Sequence, residues 1–139
     1  MEQEEGNTRV VHKYWEQCWN LHEPDGLDST HAIAFAQNGV AIGVPKFKEG
    51  LASFFQSFPD ISISIEDIMA KDDKVLMRVH YRGTHLGDYC GIPATGRTIS
   101  LGGLELFLLI DGKIVSHWHE MDHLAILQQI GATAIVPQS

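Results

Sequence analysis

Residues 98–121 read "TISLGGLELFLLIDGKIVSHWHEM", a long apolar strand, a turn and a returning strand in one run. Within it, residues 104–110, LELFLLI, are apolar at both parities except for Glu105. A strand apolar on both faces is expected to be buried on both, so its one acid faces a cavity or a packed interface. A buried carboxylate is costly unless paired, and burial alone raises its pKa towards neutrality. Glu105 is therefore a cue to a functional site. Taking Asp111–Gly112–Lys113 as a three-residue loop with Gly112 left-handed sets Glu105 opposite His119, their Cβ atoms about 4.5–5.5 Å apart. A two-residue loop would set Glu105 opposite Trp118 instead.

The eight residues 116–123, SHWHEMDH, hold His117, His119 and His123 around Glu120 and Asp122. A glutamate against a histidine in an apolar recess makes a proton-transfer pair, the acid orienting the ring and the ring exchanging the proton near neutrality. Two other readings stand beside it. The pair is a plain cross-strand polar contact, or His117 and His119 join Glu105, with His85 near, as a two-His-one-carboxylate metal site. No Cys-x-x-Cys or HExxH spacing supports a metal, and the expectation is that neither metal nor cofactor is used. Parity turns Trp118 away from His119. Asp122 is expected to cap a last short helix, HLAILQQI, with Gly131 just past its end. His80 and His117 are expected at the surface or in an interface.

Working outward, KVLMRVHYRGTH places Val75, Met77, Val79 and Tyr81 on one strand face. ISISI, residues 61–65, alternates strictly, with KDD at 71–73 as a turn. Upstream, VPKFKEGLASFFQSFPD predicts a helix opened by Pro45 and closed at Pro59. VVHKYWEQCWNLH repeats Val10, Val11, Tyr14, Trp15, Cys18 and Trp19 at helical spacing with one broad apolar face. Residues 22–44 carry turn signals and short apolar runs compatible with strand or helix. Helices followed by a four-strand antiparallel meander give an α+β class: a curved antiparallel sheet wrapped on N-terminal helices, a cone with an internal cavity at its open end.

The chain has 139 residues, 44% hydrophobic and 20% charged, with 18 acids against 10 bases and a net charge of -8. One ordinary domain is expected, with its core at about 8–132 and short flexible tails. The acidity argues against nucleic acid or an anionic membrane as partner. The start, MEQEEGNTR, is the reverse of a secretory signal, and no apolar run reaches the roughly 20 residues of a membrane span. Two cysteines, Cys18 and Cys90, form no metal or disulfide framework, which fits a cytoplasmic protein.

FPDISISIEDI, GTHLGDYCGIPATGR and DGKIVSHWHEMDHLAILQQIGA together resemble the SnoaL-like polyketide cyclase family, whose fold is the conical α+β barrel of nuclear transport factor two. The resemblance covers most of residues 8–132. It implies ring closure of polyketide esters by an intramolecular aldol step without metal or cofactor, although relatives include hydroxylases, isomerases and epoxide hydrolases. The family's catalytic aspartate on the last strand aligns with His119 and its partner histidine with Glu105, so acid and imidazole are exchanged between neighbouring strands. The resemblance also implies a homodimer through the outer face of the sheet. The expected catalytic set is His119 as acid/base, Glu105 as its partner and His85 as donor to a carbonyl oxygen. Tyr14, Cys18, Phe54, Phe107 and Met121 are expected to line the substrate pocket. Two further readings are a binding protein of the same fold and a hydrolase or hydroxylase using the same pocket.

Overall fold

The computed structural model describes residues 2–132. Helix α1 (Glu2–Lys13) runs straight into a π-helical segment, Tyr14–Asn20. A 3-10 turn at Pro24–Gly26 and the short α2 (Leu27–Thr30) lead to β1 (His31–Gln37) and β2 (Val40–Ala41). Helix α3 (Val44–Ser57) precedes the long strands β3 (Ser62–Lys71), β4 (Lys74–Thr84), β5 (Thr98–Ile110) and β6 (Lys113–Met121), and α4 (His123–Gln129) closes the described part. The strands form one open, six-stranded sheet in the order β2-β1-β6-β5-β4-β3. Helix α1 packs on β3 and β4, α3 on β1 and α4 on β5.

The α+β class and the meander β3–β6 are as expected, and the sheet is larger. The stretch 22–44 supplies β1, which pairs with β6 in parallel, and β2, which pairs with β1 across the two-residue turn Asn38–Gly39. Both turn residues have positive φ, at 51° and 80°, as a type I′ hairpin requires. Residues 2–7, expected as a flexible tail, are helical. Glu2, Glu4 and Glu5 occupy the first turn, where acids suit the helix dipole. Glu4 also accepts the Asp72 amide at 3.0 Å, and Asn7 is buried. The expected flexible C-terminal tail falls mostly on residues 133–139, outside the described ones.

Strand β5 also departs from expectation. Its residues alternate, with Ile99, Leu101, Glu105, Phe107 and Leu109 inward, whereas Leu104 and Ile110 are more than half exposed. The helices cover only the inner face, so the apolar outer face, with Met69, Leu76 and Trp118, meets solvent in the single chain.

The β5–β6 turn gives the expected register by a different route. Asp111 and Gly112, both at positive φ, make a two-residue turn that pairs Ile110 with Lys113 and Leu109 with Ile114. A bulge then shifts the register by one, so that Leu108 pairs with Ser116 and Glu105 with His119. The extra residue restores the pairing that a three-residue loop would have set.

Candidate active site

Glu105 is fully buried on β5, paired with Met77 of β4 on one side and His119 of β6 on the other. Its carboxylate accepts hydrogen bonds from three side chains. The Tyr81 hydroxyl donates to Oε1. His117 Nε2 lies 2.8 Å from Oε2, and His119 Nδ1 lies 2.7 and 2.8 Å from the two oxygens. Burial, the largest single influence, pushes the Glu105 carboxyl up as the sequence suggested. The hydrogen bonds from His117 and His119 and then their charges together outweigh it and hold the group at about 2. The acid is therefore an anion at neutral pH. Tyr81 remains a phenol because burial, the Glu105 charge and their hydrogen bond all push its pKa well above the ordinary value.

An ionised carboxylate has no proton to give. Each ring nitrogen facing it must therefore carry the hydrogen, which fixes both tautomers. His117 is protonated on Nε2, and its ring, held below ordinary basicity mainly by burial, keeps a bare Nδ1. The neutral form of His119 carries its hydrogen on Nδ1, which leaves the Nε2 lone pair. Nε2 makes no hydrogen bond among the described residues, and the side chain is 21% exposed on the cavity wall. The neighbouring Asn38–Gly39 turn holds this part of β6 in place. Asn38 Oδ1 accepts the His119 amide at 2.8 Å, and the Asn38 amide donates to the His117 carbonyl at 2.9 Å.

The cavity has a volume of about 340 Å³ and is walled largely by aromatic and aliphatic side chains, among them Trp19, Phe47, Leu51, Phe54 and Tyr89. Tyr14 reaches it from the π-helical segment. In that wider helix, residues five apart lie one above the other, and Trp19 Nε1 donates to the Tyr14 hydroxyl at 2.9 Å. That bond uses the oxygen as acceptor and leaves the Tyr14 hydrogen without a partner among the described residues, the side chain itself being fully buried. Burial is the main cause that keeps this phenol protonated. Glu120, Met121 and His123 line the cavity too, and the Tyr89 hydroxyl lies 2.8 Å from His123 Nδ1.

Of the residues singled out in the sequence, the structure brings Glu105 and His119 together, with Tyr14, Phe54 and Met121 on the same cavity. It does not bring His85 there. That ring is buried under its own loop, with Nδ1 3.0 Å from the Thr95 hydroxyl and its face tilted against Phe58. Cys18 and Phe107 lie behind the wall. Cys18 packs towards Gly26, its thiol pushed up to about 12 by burial and then by Glu23 and Asp28. Phe107 stacks on His117 with ring centroids 4.2 Å apart.

Two site residues lie outside the expected catalytic set. His117, set beside Glu105 only in the metal reading and otherwise expected at the surface or in an interface, is 1% exposed and bonded to Glu105. It shares parity with His119 two residues on, which signals a common face. Tyr81 shares the inward parity of Val75, Met77 and Val79, and a buried phenol needs a partner. Trp118 points outward and is 41% exposed. Asp122 caps α4 as expected, Oδ1 accepting the Ala125 amide at 3.1 Å. Glu105, His117 and His119 also present three ligand atoms within 4.8 Å of one another, a donor set of the two-His-one-carboxylate type.

Among known proteins, the SnoaL-like polyketide cyclase family matches residues 9–130. Aklanonic acid methyl ester cyclase from Streptomyces peucetius is 38% identical over 56 residues, 40% of this chain. The aligned stretch spans 39% of that relative's length. TsrD from Streptomyces laurentii superposes with a TM-score of 0.83 at 27% identity, covering 91% of this chain and 96% of its own. A candidate SnoaL-like polyketide cyclase from Jannaschia sp. CCS1 shares the fold with a TM-score of 0.84 at 23% identity, covering 94% and 95% of the two chains. Among the described residues no helix is long and apolar enough to cross a membrane. With the family matched from the first helix through the end of α4, the chain belongs to the SnoaL-like polyketide cyclases.

Proposed function

We propose that the protein is a cofactor-independent acid/base enzyme, a cyclase or isomerase acting on a small, fairly apolar carbonyl substrate of the polyketide type. The observation that carries this reading is the threefold-bonded Glu105, which leaves His119 with a bare Nε2 at the cavity wall. In this reaction His119 Nε2 removes a proton from the carbon next to a carbonyl. The carboxylate, already bonded to Nδ1–H, stabilises the imidazolium that results. The Tyr14 hydroxyl donates to the developing enolate oxygen, the role that the sequence had suggested for His85. The enolate carbon then attacks a second carbonyl of the same molecule, and the imidazolium returns the proton to the new alkoxide. In an isomerisation it is returned to carbon instead. The aromatic wall suits a neutral, planar substrate and excludes water from the enolate.

The test is hydrogen–deuterium exchange next to the carbonyl of a neutral aromatic β-keto ester, followed by NMR with wild type and His119→Gln. The expected loss in the variant is about 10²–10⁴-fold. A probe that binds equally to both proteins and exchanges in neither would support a binding protein instead. The reading includes a homodimer formed through the apolar outer face with Leu76, Leu104 and Trp118. Leu104→Glu combined with Trp118→Glu should shift a dimer to monomer in analytical ultracentrifugation. It also includes a reducing, cytoplasmic setting, consistent with the free thiols of Cys18 and Cys90.

A further inference from the structure

Two imidazole nitrogens near the site have no hydrogen-bond partner among the described residues, although both are buried: His117 Nδ1 and His31 Nε2. Their side chains come from the adjacent strands β6 and β1 and are 1% and 3% exposed. Both rings meet Tyr14 edge-on, with centroids 5.9 and 4.9 Å from its own, and His117 is close enough for its charge to act on His31. Of the other ring neighbours, Phe35 and Phe47 at His31 and Phe107 at His117 offer no hydrogen-bonding group, and at His117 the Trp15 Nε1–H is spent on the Met77 sulfur and His119 Nδ1 on Glu105. A buried polar atom left unpaired costs about 1–3 kcal/mol, and nearly all such atoms in folded proteins are paired, to protein or to an internal water.

We infer that one water molecule is held between His31 Nε2 and His117 Nδ1, and that through it His31 is a positioning residue for Glu105. His117 Nδ1 is an acceptor, because the hydrogen of that ring is on Nε2. The character of His31 Nε2 follows the Thr30 hydroxyl, which lies 2.8 Å from His31 Nδ1 and 3.4 Å from the Gly26 carbonyl. If Thr30 donates to His31, Nε2 is a donor. If it donates to Gly26, Nε2 is a second acceptor. Water serves either arrangement, by relaying one hydrogen bond or by donating both of its hydrogens, whereas direct contact between the rings serves only the first. Burial holds both rings well below ordinary basicity, His31 to about 3, so both are neutral. Held in this way, His117 cannot turn over to the tautomer that would put a lone pair against the carboxylate. Only the consequence for catalysis rests on the reading of Glu105 and His119 given above.

The experiment combines a high-resolution crystal structure with long-range ¹H–¹⁵N spectra of the histidine rings in wild type, His31→Leu and His31→Gln. The expected result is one ordered water within hydrogen-bonding distance of both nitrogens in wild type, and His117 protonated on Nε2. In His31→Leu the His117 Nδ1 resonance moves downfield as it loses its donor. In His31→Gln, whose amide can hold the water, it returns towards the wild-type position. A dry gap, direct ring-to-ring contact, or a His117 signal indifferent to folded His31→Leu overturns the inference. If His31→Leu does not fold, the wild-type density and the His31→Gln spectrum decide. Absence of the water with His119-dependent exchange intact refutes this inference alone. Exchange that does not need His119, with the water in place, refutes the proposed chemistry alone.

Discussion

Replacing Glu105 by glutamine keeps its shape and removes its charge. In the native protein the carboxyl is held at about 2 against an ordinary 4.5, so the fold favours the ionised form by about 3 kcal/mol. Because the folded group titrates below the unfolded one, this contribution is complete above the unfolded value of 4.5 and is lost as the pH falls through about 2. Glu105→Gln resembles the protonated state. It should be less stable than wild type by about 3 kcal/mol near neutral pH, a fall in Tm on the order of 10 °C for a chain of this size. The amide also offers hydrogens to rings that already donate, so one imidazole must change tautomer or lose its bond. Urea unfolding of both proteins from neutral pH down to about pH 2 gives the difference directly, since the other carboxylates are common to both. Equal stability at neutral pH, or a gap that does not narrow towards pH 2, would refute the assignment of Glu105 as a threefold-bonded anion.

Other substitutions probe the supports of the site. Tyr14→Phe should lower turnover about 10²–10³-fold by removing the enolate donor and cost about 1–3 kcal/mol by stranding Trp19 Nε1, measured by exchange kinetics and urea unfolding. Gly103→Ala should resemble Tyr81→Phe in the ring spectra, because a Cβ there would come within 2.7 Å of the Tyr81 ring and push its hydroxyl off Glu105. Gly87→Ala should strongly destabilise the loop over α3, since its Cβ would fall 2.1 Å from the Gln56 carbonyl; thermal melts check it. Asp122→Ala should cost about 1 kcal/mol by removing the α4 cap, read from urea midpoints, with exchange kinetics unchanged.

The parts of this molecule that were legible in the sequence are those governed by local periodicity. The alternation of residues 61–84 and the Asp–Gly turn at 111–112 set β3 to β6, and the apolar stripe of 44–57 set α3. The pairing of Glu105 with His119 was legible as well, although the turn is shorter than supposed and a bulge makes up the difference. β1 escaped because its alternation is broken. His31 and Phe35 are buried while Ile33 is exposed, and the pairing with β6 shifts register within the strand. Its Asn–Gly turn was the available signal. The role of His117 could not be read from residues 104–110, because their apolar outer face concealed which side of the sheet the helices cover. His85 was misplaced for a related reason. Sequence puts it at a strand end, and only the folded loop shows that Thr95 and Phe58 enclose it.

The most direct test of the account is the protonation pattern of the His119 ring, read from long-range ¹H–¹⁵N correlations at mildly alkaline pH. The expected result is hydrogen on Nδ1, a bare Nε2 and loss of this fixed pattern in Glu105→Gln. Hydrogen on Nε2, the nitrogen assigned as the base, or a pattern indifferent to Glu105→Gln, would contradict the proton-transfer pair.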